Sequence, residues 1–157
     1  MADYTNMSDY YDMIMTSGYY DYDSIVDNIP IREGQSIFEL GCGTGLILEK
    51  LANKIPCKIA GMDVTKPMLD IAIKRLKDFP DIRLYHQDIL TLSLDEQYDM
   101  AFSYGGIWYF SAKNDELSMI SHISDHPDNE KGIDRLSRHI RSGGKFLLGI
   151  LRTPLRL

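Results

Sequence analysis

The feature that most constrains the fold of this chain is a glycine-rich turn, ELGCGTG, at residues 39–45. Residues 36–40 have the apolar composition of a buried strand, and residues 44–54 carry apolar side chains at helical spacing. Glycines at such a junction let the backbone turn tightly and let a ligand approach the main chain. The segment predicts the strand–turn–helix unit of an α/β protein, with a ligand site where the strand ends.

The same alternation of short strands and amphipathic helices continues along the chain. Thr65 and Pro67 mark the start of a helix that ends at Phe79-Pro80. Strands alternating with helices pair in parallel through right-handed crossovers. We therefore predict a doubly wound, mostly parallel α/β sheet of about five strands, with residues 1–33 as a helical cap and 34–157 as the main domain. Further strands are predicted over residues 58–63, 82–86, 98–104 and 145–151, and helices over 10–14, 22–28, 115–121 and 131–140.

Composition narrows the range of partners. The chain has 157 residues, which fits one compact domain, and a formal net charge of −6. A negative charge disfavours nucleic acid, because that affinity depends largely on neutralising phosphates. No apolar run is long enough to cross a bilayer, and the N-terminus lacks the basic start of a secretory signal. These features predict a cytoplasmic protein that does not act at a membrane, with Cys42 and Cys57 as free thiols.

The spacing of the glycines indicates which ligand the turn suits. A dinucleotide fingerprint has a third glycine five residues after the first, but that position is occupied by Leu46. A phosphate-binding loop needs Gly-Lys-Ser or Gly-Lys-Thr, and no lysine follows here. The turn therefore predicts a nucleoside without a pyrophosphate. A nicotinamide-dependent oxidoreductase stays as an alternative that Leu46 disfavours.

Polar residues end the next two predicted strands. Asp63 ends the second strand, and a carboxylate there can accept hydrogen bonds from both hydroxyls of a ribose. Gln87, Asp88 and Ile89 follow the third strand, where Asp88 could accept from an adenine amino group and Ile89 could cover the ring. The alternative for Asp88 is a polar strand end that caps a turn. With the glycine turn, these residues predict a site for an adenine nucleoside.

The segment after the fourth predicted strand combines small and aromatic residues. Ser103 and Tyr104 precede Gly105 and Gly106, and two glycines there open space beside a ligand. The run of large apolar residues at 107–110 suits the wall of a substrate pocket and core packing equally well.

Together these motifs resemble the class I S-adenosylmethionine-dependent methyltransferases, over residues 10–151. The likeness rests on the glycine turn, the strands that end at Asp63 and Asp88, Met68 in the helix between them, and Tyr98-Asp99 at the start of a fourth strand. It implies S-adenosylmethionine as the cofactor and methyl transfer to a nitrogen, oxygen or carbon atom of a small molecule. The cofactor-binding residues that it implies are Tyr11, Glu39, Gly41, Cys42, Gly43, Gly45, Asp63, Val64, Met68, Gln87, Asp88, Ile89 and Ser103.

The N-terminal segment is similar to a helix that closes over the cofactor in small-molecule members of this family, with Tyr11 as the matching tyrosine. The alternative is a frayed surface arm. An oxygen or protonated nitrogen acceptor needs a proton acceptor, and the candidate catalytic residues are Tyr11 and Tyr104. We also hypothesise that the acidic arm, through Asp12, Asp21 and Asp23, attracts a cationic acceptor.

One feature separates the chain from a complete member of the family. The family has a seven-stranded sheet that ends in an antiparallel hairpin, whereas this sequence stops after the fifth predicted strand. This predicts a C-terminally truncated sheet with an exposed last strand. Three explanations stay open: a truncated product, a fragment of a longer gene, or a subunit whose edge a second copy or a partner chain covers. The alternative function is a cofactor-binding module without catalysis.

His122 and His126 have the spacing of metal ligands, but Asp125 and Pro127 indicate a loop, so no metal site is predicted.

Overall fold

The computed structural model describes residues 7–113 and 116–152, which contain eight strands in two sheets. A parallel sheet has the order β3-β2-β1-β4-β7. The order reverses beside β1, so the arrangement is doubly wound and the predicted fold class is confirmed. Within the described residues, β7 pairs only with β4 in this sheet. The strands are β1 (Ser36–Leu40), β2 (Lys58–Asp63), β3 (Arg83–His86), β4 (Tyr98–Ser103), β5 (Trp108–Lys113), β6 (Glu116–Ser121), β7 (Ile140–Leu148) and β8 (Ile150–Arg152).

Five α-helices and two short helical turns connect the strands in the described residues. The helices predicted over 10–14 and 22–28 are confirmed as α1 and α2, and α1 continues into a π-helical turn, Met15–Tyr19. The helix predicted over 44–54, α3, begins later, at Leu46, because Gly45 with φ of 79° is its N-cap. Thr65 is the N-cap of α4, but the predicted side-chain capping bond is not formed. The helices are α1 (Ser8–Ile14), α2 (Tyr22–Asp27), α3 (Leu46–Lys54), α4 (Lys66–Arg75) and α5 (His126–Ser137), with a 3-10 turn at Ile89–Thr91.

The parallel sheet is packed on both faces, as its apolar strands require. Every residue of β1 is buried, and its side chains alternate between the two faces. Ile37 packs in a core with α2 and α3, whereas Phe38 and Leu40 pack in a second core with Trp108 and Leu136. Within the described residues, no helix combines the length and the apolarity needed to span a membrane.

A second, three-stranded sheet was not predicted. Strand β5 pairs antiparallel with β6 and parallel with β8. The predicted helix over 115–121 is wrong, because residues 116–121 gain a backbone ladder with β5; Asp115 lies outside the described residues. The strand predicted over 145–151 is divided between β7 and β8. The helix predicted over 131–140 begins at His126, where Pro127 fits the first turn, and ends before β7.

Asn129 of α5 joins that helix to the β5–β6 hairpin. Its Oδ1 accepts from Trp108 Nε1 at 2.7 Å and from Ser121 Oγ at 2.6 Å. Its Nδ2 donates to the carbonyl oxygens of Ile123 and Asp125 at 2.9 and 2.7 Å. This network holds the end of β6 in a defined place, and the next residue along the chain is His122.

Candidate active site

The carboxylate of Asp63 joins the end of β2 to the glycine turn. Its Oδ2 accepts from the Gly43 backbone N–H at 2.8 Å, and its Oδ1 accepts from the Thr65 backbone N–H at 2.8 Å. Each carboxylate oxygen has a second lone pair. Asp63 can therefore hold the turn and still accept hydrogen bonds from a ligand.

A cavity opens beside Asp63 at the carboxyl ends of the strands, and we call it the Asp63 cavity. It encloses about 600 Å³, part of it open to solvent. Apolar walls with one carboxylate at the rim suit a flat ring joined to a sugar. The predicted cofactor-binding residues in its lining are Tyr11, Gly41, Gly43, Asp63, Val64, Met68 and Ile89. Gly105, Gly106 and Ile107, which were expected beside a ligand or in a pocket wall, also line it, and Met62, Thr65 and His122 were not predicted.

A second cavity, the Glu39 cavity, lies beside the first and has a volume of about 740 Å³, part of it open to solvent. The side chain of Glu39 is 3% exposed, and its Oε2 has no hydrogen-bond partner within the described residues. Burial raises the pKa of Glu39 well above its usual range, and the Asp63 charge raises it further. A buried acid without a partner is costly, so Glu39 offers a place for a donor or a cation. Other lining residues are Tyr11, Tyr20, Tyr22, Cys42, Thr44, Tyr104 and Tyr109.

The two cavities meet at residues that line both of them: Tyr11, Gly41, Gly105 and His122. The loop after β4 reaches this junction by close packing on the glycine turn, since a Cβ on Gly106 would lie 2.3 Å from the Leu40 carbonyl oxygen. His122 makes an edge contact with Tyr109, with ring centroids 5.9 Å apart. Burial lowers the pKa of His122 below its usual range.

The N-terminal helix is attached to the site through Asp12. Its carboxylate accepts from Thr44 Oγ1 at 2.5 Å and forms an ion pair with Arg75 of α4. Arg75 also donates to the Thr44 carbonyl oxygen at 2.8 Å and pairs with Glu49 at 3.1 Å. These contacts join α1, the glycine turn and α4, and they place Tyr11 beside Gly43.

Four predicted residues line neither cavity. Gly45 packs on α4, where a Cβ would lie 3.2 Å from the Ala72 Cβ. The Gln87 side chain bonds both backbone groups of Ser93. Asp88 Oδ1 accepts from the Leu90 N–H at 2.9 Å, which is the turn-capping alternative. Ser103 Oγ accepts from the Trp108 N–H at 3.3 Å. These residues shape the surrounding loops.

The hypothesis of a cation-attracting acidic arm is not supported by the geometry. Asp12 is paired with Arg75, Asp21 caps α2 through the Ser24 N–H, and Asp23 pairs with Lys50. None of the three carboxylates lines either cavity. Within the described part of the chain, no group of three or more His, Cys, Asp or Glu residues could hold a metal ion.

Comparison with known proteins agrees with this geometry. The methyltransferase domain family matches residues 37–144. Malonyl-[acyl-carrier protein] O-methyltransferase of Bacillus anthracis is 33% identical over 90 residues, covering 56% of this chain and 33% of that protein. The chain spans about a third of the length of the first curated relatives it matches.

Solved structures share the fold. N-methyltransferase NodS of Bradyrhizobium japonicum, in complex with S-adenosyl-L-homocysteine, has a TM-score of 0.56 at 24% identity, over 73% of this chain and 51% of that chain. DesVI of Streptomyces venezuelae has a TM-score of 0.64 at 20% identity, over 100% of this chain and 61% of that chain. The family match spans well over half of the sequence. The chain therefore belongs to the class I S-adenosylmethionine-dependent methyltransferase family.

Proposed function

We propose that this chain binds S-adenosylmethionine and transfers its methyl group to a small-molecule nucleophile. The main support for the proposal is the position of the Asp63 carboxylate. Its Oδ2 lies 2.8 Å from the Gly43 backbone nitrogen, and Asp63 lines the Asp63 cavity. In this proposal, Asp63 accepts from the ribose hydroxyls. Val64, Met68 and Ile89 line the same cavity, and in this proposal they surround the adenine.

The Glu39 cavity has the chemistry to receive the methionine part of the cofactor. S-adenosylmethionine carries an ammonium and a sulfonium charge, and Glu39 is a buried acid with an open oxygen. Tyrosine rings around it add favourable contacts for a cation. The bound cofactor supplies an activated methyl group, so the contribution of the chain is placement and exclusion of water. The NodS complex with S-adenosyl-L-homocysteine supports the choice of cofactor through the shared fold.

Both alternatives remain testable. A dinucleotide-binding turn would need its third glycine at the position of Leu46. Leu46 is instead a large, buried side chain, and the missing glycine counts against a nicotinamide cofactor. A cofactor-binding module without catalysis would have the same Asp63 cavity. A methyltransferase and such a binding module differ only in whether a methyl group is transferred.

Isothermal titration with S-adenosylmethionine, S-adenosylhomocysteine and NADH tests the cofactor. We expect both adenosyl ligands to bind and NADH to show no binding. Transfer of a radiolabelled methyl group to ethanolamine, phenol and malonate then tests catalysis. Tight NADH binding would contradict the cofactor assignment, and adenosyl binding without turnover on a broader acceptor panel would favour the binding module.

We further propose a cytoplasmic location and a capping role for residues 1–33. Support for the location comes from Cys42 and Cys57, which are both free thiols. Support for the cap comes from the Asp12 contacts with Thr44 and Arg75. A second copy or a partner chain that pairs with the outer edge of β7 would cover that strand, and sedimentation at increasing protein concentration tests self-association.

A further inference from the structure

His122 lies where the two cavities meet. It directly follows β6, and its backbone N–H donates to the Ile107 carbonyl oxygen at 3.0 Å. The hairpin that carries it is fixed by Asn129 through Trp108 and Ser121. These bonds fix the backbone at His122, a residue that lines both the proposed nucleoside space and the tyrosine-lined space.

Among the cavity-lining side chains, His122 is the best suited to accept a proton near neutral pH. No hydrogen bond found within residues 7–113 and 116–152 involves its ring nitrogens, and the ring is in edge contact with Tyr109. Burial lowers its pKa, which keeps the imidazole neutral at pH 7. Burial raises the pKa of Tyr104, so that phenol stays protonated and is a poor base.

We propose that His122 is the catalytic base that takes the proton from the methyl acceptor, an inference that rests on the proposed function. The lone pair of the acceptor nitrogen or oxygen forms the new bond to the methyl carbon. The carbon–sulfur bond breaks, and its electron pair stays on sulfur. The proton of the acceptor passes to the His122 imidazole, which later releases it to solvent.

This role restricts the acceptor to a small amine or hydroxyl compound, because an ionised carboxylate has no proton to give. The acidic groups that line the cavities agree with that restriction. Glu39 and Asp63 line them, and no Lys or Arg is among the described lining residues. The titratable groups that share the cavities with His122 are Tyr11, Tyr20, Tyr22, Glu39, Cys42, Asp63, Tyr104 and Tyr109.

The test compares the His122 pKa in two complexes of the unmodified protein by NMR titration of its imidazole, assigned with the variant His122→Gln. The sulfonium of S-adenosylmethionine is positively charged, and the sulfur of S-adenosylhomocysteine is neutral. If His122 faces the transferred methyl group, its pKa is lower by about half a unit or more in the S-adenosylmethionine complex. His126 and His139, which line neither cavity, serve as internal controls and do not respond.

Equal His122 pKa values in the two complexes would overturn the inference while the proposed function stands. Failure of both ligands to bind would instead overturn the proposed function. In the methyl-transfer assay with ethanolamine, His122→Gln lowers kcat by about 100-fold or more and leaves the S-adenosylhomocysteine Kd within about twofold. The matched variant His126→Gln leaves both values unchanged. Full kcat in His122→Gln would also overturn the inference.

Discussion

The Asp63 carboxylate and the Gly43 backbone N–H form a 2.8 Å hydrogen bond between the ends of two neighbouring parallel strands. Residue Glu39 of β1 pairs with Gly61 of β2, so the glycine turn and the carboxylate leave the sheet at the same level. The strand register and this hydrogen bond set the distance between the carboxylate and the glycine turn. A ligand that fits between them meets a site that needs little rearrangement.

Glu39→Gln should stabilise the protein and weaken cofactor binding. Burial raises the folded-state pKa of Glu39 above its usual value of 4.5, so between that value and the raised pKa the folded state holds more protons than the unfolded state. The stability that Glu39 contributes therefore falls as pH rises through this window. We expect the melting temperature of Glu39→Gln to exceed that of the unmodified protein at pH 8, with the difference shrinking towards pH 4.5. Each kcal/mol corresponds to roughly 2–4 °C.

Thermal melts from pH 4.5 to 8 and titration with S-adenosylmethionine measure the two effects together. A variant that melts lower at pH 8, or that binds the cofactor as tightly as the unmodified protein, would contradict the role given to Glu39.

The Asp12–Arg75 pair should slow the release of cofactor by holding Tyr11 over the site. Both side chains are about a third exposed or less, so their attraction is only partly screened. We expect Asp12→Asn and Arg75→Gln each to raise the S-adenosylhomocysteine Kd about tenfold, chiefly through faster dissociation. A double-mutant cycle should give a coupling of about 1 kcal/mol.

Asp9→Asn, on the same helix but exposed, serves as the matched control and should change nothing. Additive effects of Asp12→Asn and Arg75→Gln would show that the pair does not act as a unit.

The parallel sheet could be predicted because its signals are local. Residues 36–40 and 58–63 are short, mostly apolar runs, and both strands have the predicted ends. The second sheet could not be predicted in this way. Residues 116–121 form a strand because β5 lies beside them, and that pairing is a tertiary contact.

The site divides along the same line. Residues of the glycine turn and residues next to Asp63 line the Asp63 cavity, as predicted. The turn and Asp63 lie close together because they follow adjacent parallel strands. His122 lines both cavities because the β5–β6 hairpin brings it there, and nothing in the sequence indicated this, since its spacing from His126 suggested only metal ligands. Asp88 shows a second limit, because its position after β3 suited a ligand, whereas the structure shows its side chain capping a 3-10 turn, and its predicted contact with adenine stays a prediction.

Asn129→Ala should destabilise the hairpin. It leaves the Trp108 indole N–H, which is buried with the side chain 1% exposed, without its acceptor. We expect a loss of about 1–3 kcal/mol in the free energy of unfolding, measured by denaturant titration with tryptophan fluorescence. Asn53→Ala, which removes an exposed bond to the Glu49 carbonyl oxygen, is the control and should cost much less. Equal losses would show that the network around Trp108 is not the anchor of the hairpin.

The central claim, that Asp63 binds the ribose of an adenosyl cofactor, is tested most directly by the Kd of S-adenosylmethionine for Asp63→Asn. Hydrogen bonds to a charged acceptor are worth about 1.5–3 kcal/mol, which predicts a Kd raised about tenfold or more. Circular dichroism confirms that the variant is folded, and Asp78→Asn, at an exposed position that lines neither cavity, should bind as the unmodified protein does. An unchanged Kd in folded Asp63→Asn would contradict the account.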